Sequence, residues 1–127
     1  MAFIIYNEAE MHKMLRTPHG MVGEWMDRKG QTLVDLAKRQ VGVDTGDLRR
    51  SITHKTTGES YGVRVLVSAN DEIAMMHHNG TRAHRIEPVR QQVLRFVVGG
   101  RVVYARQVWH PGTKPNKFLT DNLPRVI

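Results

Sequence analysis

A long amphipathic helix is the feature that most constrains the fold of this chain. Between residues 21 and 41, mostly apolar positions recur at spacings of three and four, which predicts a single stripe on one helix face. The stripe comprises Val22, Trp25, Met26, Lys29, Leu33, Leu36, Ala37 and Val41. Gly23 and Gly30 each weaken a helix by about 1 kcal/mol relative to alanine. Packing against other elements must therefore hold this helix, and Gly42 favours its end.

The N-terminal region predicts two shorter elements. Residues 2–6 have the character of a short strand. Asn7 is a good cap for a helix that begins with acidic residues, where the helix dipole favours them. This helix is expected to end near Arg16, because Pro18 disfavours helical geometry at Thr17.

Two β-hairpins are predicted after the long helix. Their strands are 51–56 and 61–69 in the first, and 93–98 and 101–109 in the second. Thr57-Gly58-Glu59 forms the first predicted turn, and Gly99-Gly100 suits a two-residue turn that requires positive φ. A helix or loop is expected at 71–78. A short helix at 116–122 should close the chain, because Pro124 prevents its extension.

Helices followed by strands indicate an α+β layer fold. We expect one long and one or two short helices packed on a mostly antiparallel sheet of about four strands with two hairpins. No low-complexity tract or long linker divides the chain. Its 127 residues fall within the usual range of about 100–200 for one domain, so residues 1–127 are predicted to form a single domain.

Positive charge is concentrated in the second half of the chain. The net charge is +7, and residues 61–127 hold ten basic but only four acidic side chains. Between residues 73 and 120 the only acid is Glu87, against eight cations. These are Arg82, Arg85, Arg90, Arg95, Arg101, Arg106, Lys114 and Lys117. They predict either a solvated basic face or a surface that faces DNA or an acidic partner. Aromatic residues are 6%, too few for a base-stacking ladder.

Catalytic and metal-binding patterns are missing from the sequence. The absence of cysteine excludes disulfides and thiolate sites. The alternative of a metal site would use histidines at 77, 78, 84 and 110 with a carboxylate from Asp71, Glu72 or Glu87, but their spacing is not that of paired ligands. His78-Asn79-Gly80 matches only the start of a nuclease motif. We therefore predict no enzyme, no catalytic residue, no metal and no cofactor.

No segment predicts a membrane location. No apolar run approaches the roughly 18–20 residues that a membrane span needs. The N-terminus lacks the basic region of a signal peptide, so the chain is expected to stay inside the cell in which it is made, or in something assembled there.

One short pattern occurs twice. Residues 78–82 and 110–114 share the order His-x-Gly-Thr-basic, 32 positions apart. Each copy alone has the character of an ordinary loop, in which glycine permits a sharp bend. Together they predict paired loops that present basic side chains side by side.

Asp44-Thr45-Gly46, Gly80-Thr81 and His110-Pro111-Gly112-Thr113 lie in three segments that resemble parts of one family, the tail-completion, or head–tail joining (neck), proteins of long-tailed bacteriophages. Residues 43–52, with Asp44-Thr45-Gly46 followed by Leu48 and Ser51-Ile52, resemble the segment after the long helix of that family. Residues 76–81 lie where the family has a Gly-Thr stretch, although His78 and Asn79 replace its acid and aromatic residues. The stretch 108–119 resembles the family's terminal segment.

This resemblance implies a structural subunit of the virion neck. Such a subunit forms a homo-oligomeric ring, with a hexamer favoured and a dodecamer as the alternative, that joins head to tail and lets genomic DNA pass. The implied partners are neighbouring neck and tail proteins, and the implied location is the virion neck or tail, assembled in host cytoplasm. The alternative from charge alone is a non-viral, basic nucleic-acid-binding module.

Ring assembly requires two different patches on each subunit. The predicted subunit interface comprises Trp109, His110, Phe118 and Leu119. The alternative is that the apolar members of this set pack on the subunit's own core.

Overall fold

The computed structural model describes residues 5–127, and its centre is a helix packed across a β-hairpin. The helices are α1 (Glu8–Arg16), α2 (Met21–Gln40), α3 (Asp47–Ser51) and α4 (Ala74–Asn79). The strands are β1 (Ile52–Glu59), β2 (Gly62–Ala69), β3 (His84–Ile86), β4 (Leu94–Val98), β5 (Arg101–Ala105) and β6 (Val108–His110). A 3₁₀ turn spans Leu123–Arg125. None of the helices in this part of the chain has the length and apolar character to cross a membrane.

The N-terminal helix begins and ends as predicted. Asn7 Oδ1 accepts a hydrogen bond from the Glu10 amide at 3.2 Å, and α1 ends at Arg16. The strand predicted at residues 2–6 lies partly outside the described residues, and Ile5 and Tyr6 are not in a strand.

The long helix buries or half-buries the predicted stripe except at Trp25, and it buries two glycines as well. Its buried residues are Gly23, Gly30, Leu33, Val34 and Ala37. A Cβ atom on Gly30 would lie 2.5 Å from Val65 Cγ1 of β2, so the glycine permits close approach of helix and hairpin. Trp25 is exposed instead, with Lys29 Nζ 5.3 Å from the centroid of its ring. The predicted stripe was therefore wrong at Trp25, because the glycines form part of the contact.

The first hairpin is longer than predicted. Its antiparallel register runs from Ile52 opposite Ala69 to Glu59 opposite Gly62, so the turn lies at residues 60–61 rather than 57–59. Gly58 belongs to the strand, opposite Val63, and a Cβ atom there would lie 2.2 Å from the Arg16 carbonyl oxygen, so the glycine leaves room for the end of α1.

The α+β class is confirmed, but the strands form three separate two-stranded antiparallel sheets rather than one sheet of about four strands. β1 pairs with β2, β3 with β6, and β4 with β5. The second hairpin turns at Gly99 and Gly100 with φ values of 56° and 80°, as predicted. The predicted strand 101–109 is divided, because residues beyond Ala105 leave β4 and pair with β3.

The core joins segments that are far apart in sequence. It comprises Val34, Ala37, Val41, Leu48, Ile52, Ala74 and Phe118. Phe118 and Ile52 are the largest fully buried side chains among the described residues. Closing this core therefore requires the C-terminal segment as well as the helices.

The predicted closing helix at 116–122 was wrong, because this segment forms turns that are held by side chains. Asn122 is 2% exposed, and its Nδ2 donates to Gln40 Oε1 and to the Phe118 carbonyl, each at 2.8 Å. Pro124 lies within the 3₁₀ turn that follows. The bond to Gln40 fixes this segment to the end of α2, and the bond to Phe118 closes a turn within it.

Candidate functional site

Residues 81–113 leave the core and return as a two-stranded arm. Thr81 and Thr113 form a bridge at its base, and β3 pairs with β6 in the same continuous register. Residues 87–93 then interrupt the outgoing strand, and β4 and β5 form the outer part of the arm, with the Gly99-Gly100 turn at its tip. The outer hairpin makes little contact with any other helix or strand.

The repeated pattern builds the base of the arm. The backbone amides of Thr81 and Thr113 donate to each other's carbonyls at 3.1 Å, and their hydroxyl oxygens lie 3.0 Å apart. Gly80 and Gly112 have φ values of 75° and 89°, which glycine adopts readily. A Cβ on Gly80 would lie 2.6 Å from the Thr113 carbonyl oxygen, and one on Gly112 would lie 2.5 Å from that of Thr81. The predicted pairing of the two loops is confirmed.

All eight predicted cations are exposed. Arg82, Arg85, Arg90, Arg95, Arg101 and Arg106 lie on the arm, and Lys114 and Lys117 follow it directly. Of these eight, only Arg85 has a carboxylate of the described residues within salt-bridge distance, with its Nη1 3.9 Å from Glu87 Oε1. The arm is therefore a source of positive potential that its own acids do not neutralise.

The outer hairpin has an apolar face and a mixed face. Directly opposed residues share a face, so the register places five apolar side chains together. These are Leu94, Phe96, Val98, Val103 and Ala105, with Arg101 at the tip of the same face. The other face carries Arg95, Val97, Val102 and Tyr104. On the apolar face, Leu94, Phe96 and Ala105 are half-buried and Val98 and Val103 are exposed, so this face is only partly covered. A two-stranded hairpin without a further layer is marginally stable in water.

The four predicted interface residues lie in different environments. Trp109 is 65% exposed on the arm, opposite Arg85. His110 stacks on His84 with ring centroids 5.0 Å apart. Phe118 is only 1% exposed and lies in the core. Leu119 is half-buried against that core. For Phe118, the prediction of an exposed position was wrong, because the returning segment brings its ring under His77 and His78.

The histidines are used in packing and hydrogen bonding. Between residues 5 and 127, no group of three His, Asp or Glu side chains is placed to hold a metal ion. His78 lies with its ring edge-on to Phe118 at 5.4 Å. His77 Nε2 accepts the Gly42 amide at 3.3 Å and lies 3.3 Å from Asn116 Nδ2.

A polar network that sequence reasoning missed fixes the end of the arm to α2. Asn116 Nδ2 donates to the Gln40 carbonyl, and Gln40 Nε2 donates to Asn116 Oδ1, both at 3.0 Å. The Asn116 amide also donates to the His77 carbonyl at 3.1 Å. No local pattern marks residues 76 positions apart as partners. The network explains how an arm with few contacts of its own has a fixed base.

An acidic cleft lies next to α4, on the part of the molecule that is formed by α1–α4, the first hairpin and the C-terminal segment and that we call the body. It has a volume of about 510 Å³, and its lining includes Val43, Asp44, Asp47, Asp71 and Ile73. The Thr45 hydroxyl and the Arg50 guanidinium lower the pKa of Asp47. Asp44 and Asp71 have no cation within salt-bridge distance among the described residues. The cleft therefore combines an apolar lining with unneutralised negative charge, the reverse of the arm.

Exposed apolar strands beside free cations are typical of proteins whose surfaces meet other macromolecules. The family model of the HK97 gp10-like bacteriophage tail components matches residues 8–87. The chain belongs to this family, which confirms the predicted relationship to phage tail-completion proteins and makes the protein a phage tail component. No curated protein and no solved structure gives a significant match. The matched region contains α1–α4 and the first hairpin and ends on the arm at residue 87, before the outer hairpin and the C-terminal segment that supplies Phe118.

Proposed function

We propose that this tail component is a structural subunit of the virion neck that closes into a ring, joins head to tail and lets the genome pass. The observation that carries the proposal is the family match over residues 8–87. Its partners are further copies of itself, neighbouring neck and tail proteins, and the DNA in the channel. It acts by assembly and not by catalysis.

The exposed cations support a place next to DNA or an acidic neighbour. Seven of the eight have no carboxylate within salt-bridge distance in the described residues. Such a surface costs self-repulsion in the free subunit, and a polyanion removes that cost. A ring would repeat the arm around its axis and so multiply its field.

Two experiments test the neck role. Deleting the gene from the phage that encodes it should leave DNA-filled heads and separate tails, seen by electron microscopy, and supplying the protein in trans should join them. Native mass spectrometry of the purified protein should show a ring-sized multiple of 14.5 kDa. Complete infectious virions without the protein would overturn the proposal.

The second candidate function is a basic nucleic-acid-binding module, favoured by the same free cations. In that case the logarithm of the binding constant for duplex DNA should fall steeply with the logarithm of the salt concentration. The slope should be about −0.9 for each phosphate contact. Arg95→Gln with Arg101→Gln should reduce the slope. Arg28→Gln with Arg39→Gln, on the exposed side of α2, is the matched control. A monomer with this behaviour, in a phage that assembles without it, would favour the module over the neck ring.

A further inference from the structure

We infer that the outer hairpin, β4–β5, docks with its apolar face in the acidic cleft of a second copy of this chain. The inference rests on the proposed ring and names the contact that would link neighbouring subunits. The arm supplies Phe96, Val98 and Val103, and the cleft supplies Val43 and Asp44.

The first argument is that the hairpin face is only partly covered in its own chain. Leu94, Phe96 and Ala105 are half-buried, whereas Val98 and Val103 are exposed, and β4–β5 makes little contact with any other helix or strand of the described residues. By contrast β1–β2 is covered by α2. Burying the apolar face would contribute about 25 cal/mol for each Å² removed from water.

The second argument is charge complementarity. The arm carries six arginines, with Glu87 as its only acid. The cleft is lined by three aspartates without any lysine or arginine, and only Asp47 is paired, with Arg50. Opposite potentials of this kind steer association and fix its register.

The third argument is that the cleft offers apolar contact. Val43 and Ile73 are exposed at its edge, and Leu48 is buried within its lining. An exposed valine and isoleucine beside carboxylates match a hairpin with valines beside arginines. The cleft can therefore cover both the apolar and the basic parts of the arm tip.

Other surfaces fit the arm less well. The hairpin β1–β2 exposes Lys55 and Arg64, which would repel the arm if it added to that sheet. Two arms facing each other would bring their arginines together. The groove along α1 has a mixed lining that includes Glu8 and Arg16, and so offers no net attraction.

This contact is heterologous, because the arm of one copy meets a different patch on the next. Every copy then gives one arm and receives one, and the chain of contacts closes into a ring if the rotation between copies allows it. A subunit that lacks either partner surface can still use the other.

Because the sequence contains no cysteine, one introduced pair can report the contact. Val98→Cys in one copy and Val43→Cys in another should form a disulfide-linked heterodimer in several-fold higher yield than Val97→Cys with Val43→Cys. Val97 precedes Val98 on the opposite face and has similar exposure, at 62% against 57%. Equal yields from the two pairs would overturn the inference.

Mixing two assembly-defective variants tests the direction of docking. Val103→Asp places a charge on the apolar face of the arm, and Asp44→Lys reverses a charge in the cleft. Each variant alone should therefore fail to form the ring. Their equimolar mixture should give heterodimers of twice 14.5 kDa and nothing larger, since only one intact contact remains. Val102→Asp and Asp35→Lys are the matched controls and should assemble as the native chain does.

The outcomes separate the two proposals. If Asp44→Lys or Val103→Asp still assembles into rings, the docking inference fails and the ring stands. If the Val98–Val43 pair forms selectively but the native chain never reaches a ring-sized mass, docking stands and the ring fails. A native chain that stays monomeric without selective cross-linking contradicts both.

Discussion

The hairpins β1–β2 and β4–β5 have similar local chemistry but very different surroundings. Both are antiparallel pairs with apolar side chains on one face. The first is covered by α2 and contributes Ile52 to the core, whereas the second makes little contact with any helix of the described residues. The comparison teaches that strand pattern alone does not say whether a hairpin belongs to the core or to an interface. What decides this is the presence of a second layer.

The largest expected effect comes from removing the ring of Phe118. Phe118→Ala should lower the free energy of unfolding by about 3–5 kcal/mol, because a buried aromatic ring leaves a cavity. Urea denaturation followed by circular dichroism measures this change.

The matched control for that variant is Trp109→Ala on the arm. An exposed side chain of this kind usually changes stability by no more than about 0.5 kcal/mol. Equal losses in the two variants would contradict the assignment of Phe118 to the core and of Trp109 to the surface.

A smaller effect is expected where α2 crosses the first hairpin. Gly30→Ala should improve helix propensity yet destabilise the protein by about 1–3 kcal/mol, because the added methyl group collides with Val65. The double variant with Val65→Ala should regain part of the loss. Stabilisation by Gly30→Ala alone would show that the helix and hairpin lie farther apart than the structure has them.

A polar contact between α2 and β1 predicts a limited acid sensitivity. Hydrogen bonds from the Thr56 hydroxyl, at 2.6 Å, and from His54, at 3.0 Å, lower the pKa of Asp27. A carboxylate with a lowered pKa stabilises the fold above its unfolded pKa of about 3.9, and the contribution disappears as pH falls through the folded value.

The free energy of unfolding of Asp27→Asn, measured between pH 6 and pH 2, should therefore depend less on pH than that of the native chain. The control is Asp35→Asn on the same helix. If the two variants show identical pH profiles, the Asp27 contact contributes nothing.

The smallest effect on global stability is expected at the outer hairpin. Val103→Ser and Val102→Ser should each change the free energy of unfolding of the monomer by no more than about 0.5 kcal/mol. Hydrogen exchange should be fast for β4–β5 and slow for β1–β2, since protection follows packing. Slow exchange in the outer hairpin of a monomer would mean that the arm is covered within its own chain.

Much of the local structure could be predicted because its causes lie within a few residues. The Asn7 cap, the Gly99-Gly100 turn and the pairing of the repeated loops all depend on backbone preferences of named residues. The basic character of the arm was also visible, since the cations and the scarcity of acids follow directly from composition. The acidic cleft was missed because its aspartates belong to two distant segments, Asp44 and Asp47 in one and Asp71 in the other, that only the fold brings together.

By itself the sequence determined the α+β class, the cap of α1, the tight turn of the arm and the sign of its charge. The tertiary structure decided that Gly30 faces the hairpin, that Phe118 closes the core, and that the six strands within residues 5–127 form three separate pairs. The physical reason is the distance along the chain between the residues that determine each feature. Turns and caps depend on adjacent dihedral angles and hydrogen bonds, whereas burial depends on which distant surfaces meet. Gln40 and Asn116 meet only after the chain has folded.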